Sequence, residues 1–331
     1  MNKGPIDVLG IGNAIVDVLS KTTDAFLVEH ALQKNAMQLI DADRARYLYA
    51  RMGPGVEVSG GSAANTIAGL AGLGAKTAYI GKVAKDELGD VFAHDIRSLG
   101  VKFETPPLEH GAPTARCLVL VTDDGHRTMN TFLGACTALT PDDIDPTTVA
   151  ASTITYVEGY LWDKDDAKAA VKKAMDIAHA SGREVAFTLS DPFCVERHRA
   201  EFLSLVEDHI DILFANEAEL KSLYRASDFD SALAAVRRHC RVAALTRSEK
   251  GAVIVSGEQL HTVAAEPVER VVDTTGAGDQ FAAGFLSGLT AGRDLTTCGR
   301  MGAVAAAEVI SHMGPRPERD VSALFRARGL A

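Results

Sequence analysis

The sequence predicts an α/β protein built on a mostly parallel β-sheet with helices on both faces. Short β-rich runs alternate with longer helical patterns over most of the 331 residues, and this alternation is typical of βαβ units. Hydrophobic residues make up 47% of the chain and charged residues 24%, a composition that can bury a core. The length fits one large α/β domain or two smaller ones.

The alternation begins with a β-rich run at residues 6–11. Residues 63–73, rich in small side chains, predict a helix, and residues 77–80 predict the next strand. Residues 86–99 predict a second helix. Gly100 closes it, because glycine readily adopts the left-handed conformation that ends many helices.

The second half of the chain continues the same pattern. A predicted helix at residues 164–180 ends near Gly182, and a strand follows at residues 184–189. Residues 210–214 predict a strand that leads into a helix from Glu217. Another strand, at residues 242–246, precedes a turn at Lys250 and Gly251, and two long helices follow at about 278–291 and 296–312.

One region interrupts the alternation. Residues 115–133 predict two strands around the turn Asp123-Asp124-Gly125, which is typical of a β-hairpin. With residues 16–22 this hairpin predicts a small β-sheet that stands off the main one as a lid. No low-complexity linker separates the two sheets. We therefore predict a single domain over residues 1–331, with the lid built from about 15–40 and 101–135 within it.

Charge and cysteine content argue against several classes of partner. The net charge is −10 and the chain has no long basic run, so a nucleic-acid partner is not expected. The five cysteines form no C-x-x-C pair, which argues against a disulfide framework or a zinc site. The first residues lack a signal-peptide pattern, and no stretch reaches the roughly 20 apolar residues of a membrane span. We predict a cytoplasmic protein without a membrane partner.

Several catalytic motifs are absent from the sequence. It has no G-x-x-x-x-G-K-[ST] motif, no H-R-D or D-F-G set, no G-x-S-x-G and no H-E-x-x-H. The sequence therefore does not support a P-loop NTPase, a protein kinase, a serine hydrolase with a G-x-S-x-G motif or a zinc protease.

The strongest chemical signal is segment 273–281, Asp-Thr-Thr-Gly-Ala-Gly-Asp-Gln-Phe. It follows a β-branched pair and opens an apolar helix. Glycines at a helix start let N–H groups point at an anion, and the helix dipole favours negative charge there. Asp279 lies just inside this turn, where a carboxylate can accept a proton from a hydroxyl approaching the anion, as phosphoryl transfer requires. A helix-capping aspartate followed by an ordinary glycine-rich turn is the alternative.

Two further segments combine glycine with polar side chains. Residues 60–65 read Gly-Gly-Ser-Ala-Ala-Asn before a predicted helix. They form either an ordinary turn or a close backbone approach to a ligand, with Asn65 facing a diol. In residues 10–17, Ile15 stands where a dinucleotide fingerprint needs its third glycine. Asn13 and Asp17, polar in an apolar stretch, either cap local structure or face a polar ligand.

Segment 216–219, Asn-Glu-Ala-Glu, directly follows a predicted strand. Asn216 and Glu219 have the spacing of a helix-capping box. They also have the chemistry to lie near a hydrated magnesium ion, which keeps most of its waters. One geometry can serve both functions.

Together these segments resemble the ribokinase-like (PfkB) family of carbohydrate and nucleoside kinases. Segments 60–65 and 273–281 match its two signatures, and segment 216–219 matches its N-x-x-E motif. Segment 81–89 is similar to a third family element, with Ala84 in place of a glycine. The resemblance runs from end to end. It implies a three-layer α/β/α sandwich with a small β-sheet lid, and an ATP-dependent phosphotransferase that acts on an alcohol group.

Within the family the chain is most similar to adenosine kinases, through residues 113–114, 156–160, 188–193 and 314–317. This similarity implies phosphorylation of the 5′-hydroxyl of adenosine to AMP, as in purine salvage. Leu161 stands where animal-type enzymes carry an aromatic residue against the base, so either Trp162 beside it compensates or the base preference is looser. Guanosine, inosine, ribose and fructose therefore stay open as acceptors.

The resemblance assigns roles residue by residue. Asp279 takes the proton, Arg127 swings in with the lid to stabilise the phosphoryl group, and the anion hole is formed by Gly276, Ala277 and Gly278. Substrate contacts fall on Asn13, Asp17, Gly61, Ser62, Asn65, Cys117, Met129 and Phe193.

The nucleotide side is assigned in the same way. ATP is bordered by Asn216, Thr246 and Gly251, and Mg²⁺ is held, through water, near Glu219 and Asn216. A potassium ion near the Asp273 loop is common in relatives. The lid is either the flap of a monomer or the interface of a homodimer.

Overall fold

The computed structural model describes residues 3–330. These residues form the strands β1 (Ile6–Ile11), β2 (Ile15–Lys21), β3 (Met37–Leu39), β4 (Gly55–Gly60), β5 (Thr77–Ile80), β6 (Lys102–Phe103), β7 (Ala115–Val121), β8 (Arg127–Phe132), β9 (Ser152–Glu158), β10 (Glu184–Thr188), β11 (Ile212–Asn216), β12 (Val242–Thr246), β13 (Ala252–Ser256) and β14 (Gln259–Val263).

The helices of the same residues are α1 (Asp24–Glu29), α2 (Ala42–Tyr49), α3 (Ser62–Gly72), α4 (Glu87–Ser98), α5 (Pro146–Ala151), α6 (Asp165–Ala180), α7 (Pro192–Asp208), α8 (Glu217–Tyr224), α9 (Phe229–Val236), α10 (Ala277–Thr290), α11 (Leu295–Val309) and α12 (Val321–Ala327). The predicted elements match them to within a few residues. Gly100 ends α4 with a φ of 85°, as expected for a helix-closing glycine.

Nine strands form the main sheet in the order β14-β13-β12-β11-β10-β9-β1-β5-β6. The strands from β12 to β6 run parallel, and β13 and β14 add an antiparallel edge. Because the strands are parallel, their carboxyl ends meet at one edge of the sheet, where ligands of such folds bind. The predicted α/β class is confirmed.

Helices cover both faces of this sheet. Successive strand residues alternate between two buried clusters: Leu9 and Val157 face α5–α9, whereas Val8 and Tyr156 face α3, α4, α10 and α11. Such alternation is what a strand buried on both sides requires. The result is three layers, helix–sheet–helix.

Five strands form the smaller sheet, in the order β3-β8-β7-β2-β4. Its predicted hairpin is present: β7 and β8 pair antiparallel, and Gly125 in the turn between them has a φ of 83°. We call this smaller sheet and its connections the lid. One face of the lid carries an apolar cluster of Cys117, Val119 and Val121.

The predicted bounds of the lid, about 15–40 and 101–135, are wrong at two places. β4 lies outside those bounds, yet it pairs with β2 in the smaller sheet. β6 lies inside them, yet it pairs with β5 in the main sheet. For both strands, the sheet that they join is decided by a partner distant in sequence and not by local pattern.

Among residues 3–330, no helix has the length and apolarity that crossing a membrane requires. All five cysteines are buried free thiols.

Candidate active site

The amino terminus of α10 forms the turn that the glycine-rich segment predicts. Gly276 has a φ of 77°, and a Cβ there would lie 2.6 Å from the Cα of Pro315, so only glycine fits. Within residues 3–330, the N–H groups of Gly278 and Asp279 have no hydrogen-bond acceptor. A Cβ on Gly278 would meet open space. Free N–H groups at the positive end of a helix dipole suit a phosphate.

Asp279 lies in the first turn of α10 and is partly exposed. Its Oδ1 accepts a hydrogen bond from Ser62 Oγ at 2.6 Å, and its Oδ2 accepts one from Asn65 Nδ2 at 3.3 Å. Burial raises the pKa of Asp279 to about 6, against the lowering effect of these two hydrogen bonds. A carboxylate of this pKa is ionised at neutral pH and more basic than a free aspartate, as a general base should be.

The paired glycines before α3 pack against the protein itself. Gly61 has a φ of 99°, and a Cβ there would collide with the carbonyl oxygen of Asn13. A Cβ on Gly60 would collide with the carboxylate of Asp17. The close backbone approach that these glycines allow is therefore between the start of α3 and the segment that carries Asn13 and Asp17.

Asp17 projects from β2 of the lid and is partly exposed. Burial raises its pKa to about 6, and the charges of Arg316 and Arg127 lower it while that of Asp279 raises it. All three charges therefore act on Asp17. Gly60 packs on the Asp17 carboxylate and Ser62, two residues later, donates to Asp279, so the start of α3 contacts both carboxylates.

Two buried side chains beside Asp279 differ in how they are used. Asn65 keeps its Oδ1 without a hydrogen-bond partner among the described residues, so this oxygen can accept from a ligand hydroxyl. The Nε2 of Gln280 donates to the carbonyl oxygens of Asn65 and Pro315 at 3.1 and 3.0 Å. Gln280 therefore ties α3 to the turn that follows α11.

Arg127 lies at the start of β8, buried beside Asp273. Its Nη2 is 2.7 Å from Asp273 Oδ2, which also accepts from the N–H of Gly314 at 3.2 Å. Within residues 3–330, Arg127 Nε has no hydrogen-bond partner. Arg127 is thus held beside Asp273, which lies three residues before Gly276 in the turn at the start of α10. Among the described residues, its Nε is left as a free hydrogen-bond donor.

Cys117 and Met129 lie on the lid face that carries Asp17. Cys117 pairs with Asp17 across β7 and β2, and Met129 pairs with Val119 across β8 and β7. Burial raises the pKa of Cys117 to about 12, so its thiol stays protonated. Ile15, Leu19 and Val119 form the apolar surroundings of this thiol, and Thr131 donates a hydrogen bond to it.

Phe193 and Trp162, the two aromatic residues considered for contact with a purine base, lie in different environments. Phe193, in the first turn of α7, is 75% exposed and free to meet a ligand. Trp162 is 0% exposed and packs in the core against Phe187 and Phe202, with ring centroids 6.3 and 5.9 Å away. The suggestion that Trp162 substitutes for an aromatic beside Leu161 is therefore wrong.

Asn216 and Glu219 form a complete capping box at the start of α8. Asn216 Oδ1 accepts from the N–H of Glu219 at 2.9 Å, and Glu219 Oε2 accepts from the N–H of Asn216 at 2.8 Å. The capping interpretation is confirmed. Burial raises the pKa of Glu219 to about 7, and the charges of Asp191 and Asp279 add to this effect.

Thr246 and Gly251 lie beside this capping box. Thr246 ends β12 opposite Asn216, and Gly251 precedes β13 with a φ of 81°. A Cβ on Gly251 would collide with the carbonyl oxygen of Val263. No group of three or more His, Cys, Asp or Glu side chains is arranged to hold a metal among the described residues. A magnesium ion held through water and phosphate oxygens, near Glu219, fits this edge of the sheet.

Glu158 is the residue that sequence reasoning missed. It ends β9, and its Oε1 and Oε2 accept from the N–H groups of Asn13 at 2.8 Å and Ala63 at 2.7 Å. Burial raises its pKa to about 7, against the lowering effect of these hydrogen bonds. A glutamate after a buried strand carries no local signal for partners 145 and 95 residues away.

Comparison with known proteins bears on this site. The pfkB carbohydrate kinase family matches residues 35–320. The adenosine kinase of Saccharomyces cerevisiae is 30% identical over 92% of this chain and 95% of its own length.

Two solved structures are similar over nearly the whole chain. The adenosine kinase from Sinorhizobium meliloti is 54% identical, with a TM-score of 0.90 over 98% of this chain and 99% of that one. A probable sugar kinase from Rhizobium etli is 52% identical, with a TM-score of 0.92 over 99% of this chain and 100% of that one. The ribokinase-like fold and the likeness to adenosine kinases are confirmed. The chain therefore belongs to the pfkB carbohydrate kinase family and is a phosphotransferase acting on an alcohol group.

Proposed function

We propose that this protein transfers the γ-phosphoryl group of ATP to the 5′-hydroxyl of adenosine, giving AMP and ADP. The observation that carries the proposal is the position of Asp279. It lies in the first turn of α10 beside free N–H groups, and Ser62 and Asn65 hold its two oxygens. A base and an anion cradle in one turn are what an in-line transfer to a hydroxyl requires.

In this proposal Asp279 accepts the proton of the 5′-hydroxyl as that oxygen bonds to the γ-phosphorus and the bond to the ADP oxygen breaks. The backbone of Gly276, Ala277 and Gly278 stabilises the charge of the transferring group. Arg127 adds its guanidinium, whose Nε is unpaired within residues 3–330. Magnesium bound to the nucleotide would supply further neutralisation of phosphate charge.

The acceptor would be bound by the lid and by the start of α3. Asp17 and Asn65 bind the ribose hydroxyls, with Asn13, Gly61 and Ser62 around them. The lid face beside Asp17 is mostly apolar, with Val119 and Val121 in its cluster. An apolar wall suits a purine ring better than a free hexose, whose hydroxyls would be left unpaired.

Phe193 supports the same choice of acceptor. An aromatic ring that is 75% exposed at the start of α7 is suited to stack on a base. Cys117 and Met129 would form the opposing lid wall.

The nucleotide would lie along the carboxyl edge of the sheet, beside Asn216, Thr246 and Gly251. Its hydrated magnesium ion would lie near Glu219 and Asn216. A potassium ion near Asp273 and a cytoplasmic location stay predictions from the sequence.

A second acceptor class is favoured by two observations. The similar protein from Rhizobium etli is described as a probable sugar kinase. In addition, Leu161 is buried and Trp162 lies in the core, so neither supplies a second aromatic wall. Guanosine, inosine, ribose and fructose are therefore the alternatives to adenosine.

An acceptor panel tests the proposal. Purified protein with Mg-ATP is given adenosine, guanosine, inosine, ribose or fructose, and ADP release is followed while the phosphorylated product is identified by mass. We expect kcat/KM for adenosine to exceed that for either sugar by about tenfold or more, because the sugars lack the base that the apolar wall contacts. Phosphorylation of ribose or fructose with adenosine inactive would contradict the proposal.

A further inference from the structure

Glu158 is a buried carboxylate to which the proposed reaction gives no direct part. It ends β9 in the middle of the main sheet and is 1% exposed. No Lys, Arg or His within residues 3–330 forms an ion pair with it. Its two oxygens instead accept from two main-chain N–H groups, those of Asn13 and Ala63. Main-chain hydrogen bonds thus compensate for the burial of its charge.

These two N–H groups belong to two places where the chain crosses between the sheets. Asn13 lies between β1 of the main sheet and β2 of the lid, and Ala63 lies in the first turn of α3, directly after β4 of the lid. The crossings also touch each other, because Gly61 packs on the carbonyl oxygen of Asn13. A Cβ on Gly12 would lie 2.5 Å from Glu158 Oε2. The carboxylate and both crossings are therefore packed tightly together.

Each crossing leads directly to side chains of the candidate site. Asp17 lies four residues after Asn13, on β2. Ser62 and Asn65 lie on either side of Ala63, and both donate hydrogen bonds to Asp279. One carboxylate thus joins the lid strand that carries Asp17 to the helix start that holds Asp279.

We propose that Glu158 is a positioning residue that fixes the lid strand of Asp17 relative to the base Asp279. This inference rests on the proposed function, in which Asp17 binds the ribose of the acceptor that Asp279 deprotonates. Two N–H donors require two acceptor oxygens, which an ionised glutamate supplies. Glutamine supplies one oxygen and one N–H₂ group, so one crossing would face a donor and lose its partner.

The test compares Glu158→Gln with wild type in two measurements on the full chain. Hydrogen–deuterium exchange of the free protein should rise in both segments, 12–17 and 60–65, because each exchanges through the loosened junction. With the acceptor identified by the panel, kcat/KM should fall by about 10²-fold, the scale of an ångström-level misplacement. The KM for ATP should stay within about twofold, because the nucleotide edge is not held by Glu158.

Asp211→Asn is the matched control. Asp211 also accepts a hydrogen bond from a backbone N–H, that of Val185 at 2.8 Å. It directly precedes β11, at the amino-terminal ends of the parallel strands, whereas Glu158 lies at their carboxyl ends. In this variant, any increase in hydrogen–deuterium exchange should lie outside segments 12–17 and 60–65, and the KM for the acceptor should be unchanged. Glu158→Asp keeps both oxygens on a shorter side chain and replaces the glutamine variant if that variant fails to fold. It should show the same effects at smaller size.

Each result has a definite meaning. Unchanged exchange in either segment overturns the proposal, and so does raised exchange with an unchanged acceptor kcat/KM. An equal loss in the KM for ATP and for the acceptor also overturns it, because it indicates general damage. If wild type phosphorylates no compound of the panel, the proposed function and the positioning role both fail. The exchange data then still decide whether Glu158 joins the two crossings.

Discussion

Asp279 is subject to two opposing influences. Burial raises its pKa to about 6, whereas the hydrogen bond from Ser62 Oγ at 2.6 Å lowers it. The balance keeps the carboxylate ionised at neutral pH without removing its basicity. Burial also raises the pKa of Asp17 to about 6, but there the opposing influence is the positive charge of Arg316 and Arg127.

The pH dependence of the reaction follows from these values. Asp279 must be ionised to accept a proton, so kcat/KM for the acceptor should be full well above pH 6 and fall as pH drops through about 6. Ser62→Ala removes a hydrogen bond that lowers the pKa of Asp279, and the acidic limb of the profile should move to higher pH. Ser287→Ala, further along α10, should leave the limb in place. A limb that stays fixed or moves down in Ser62→Ala would contradict this account.

At the scale of an element, α8 shows how one motif can serve both structure and function. The capping box of Asn216 and Glu219 satisfies N–H groups at the start of the helix. Both oxygens of Glu219 are engaged by Asn216, at 2.8 Å to its N–H and 2.6 Å to its Nδ2. Any contact of Glu219 with magnesium would therefore be made through its charge and an intervening water.

Two substitutions in α8 separate these functions. Asn216→Ala removes the cap and should cost about 1 kcal/mol of unfolding free energy, measured by denaturant titration. Glu219→Gln removes the charge and keeps one acceptor oxygen for the N–H of Asn216, so the capping box is only partly lost and the unfolding free energy should fall less than in Asn216→Ala. The Mg²⁺ concentration for half-maximal activity should then rise on the order of tenfold, as when an outer partner of a metal is lost. An unchanged Mg²⁺ dependence would leave the motif a structural role only.

Local sequence pattern predicted the elements that carry their own signals. Gly276 and Gly100 adopt positive φ where the pattern requires glycine, and the capping-box spacing of 216–219 is realised. β4 was missed because Gly55–Gly60 begins and ends with glycine and has an exposed Val56, so it lacks the apolar run of a buried strand. Its place is set by β2, which lies about 40 residues earlier.

At the scale of the whole molecule, the site depends on how two sheets meet. Arg127 of the lid pairs with Asp273 of the main body at 2.7 Å, and Arg316 bonds both to Asp95, at 3.1 Å, and to Ser59 of the lid strand β4. Such contacts span more than 100 residues in sequence. Segments 156–160, 273–281 and 314–317 of the family resemblance contain Glu158, Asp273 and Arg316, but no local pattern names their partners, so these contacts could be found only from the structure.

The family signatures predicted the centre of the site for a physical reason. Gly276 and Gly61 have a positive φ and Gly60 packs closely on Asp17, and this need for glycine is visible in the sequence. The packing of Trp162 is not visible in the same way. An aromatic side chain after a strand can turn to the ligand or to the core, and only the presence of Phe187 and Phe202 decides between them.

In the proposed function Asp279 is the base of the phosphoryl transfer, and Asp279→Asn removes that base. The Asp279→Asn variant should fold. Burial raises the pKa of Asp279 in the folded protein to about 6, so above that pH the ionised carboxylate destabilises the folded state. Its replacement should therefore not lower the melting temperature at pH 8.

The decisive measurement is the single-turnover rate of phosphoryl transfer from ATP to adenosine, with binding of both substrates measured in parallel by calorimetry. We predict that the rate falls by about 10²–10⁴ while both affinities stay close to wild type. A rate within about tenfold of wild type, in a folded variant that binds both substrates, would show that another group takes the proton.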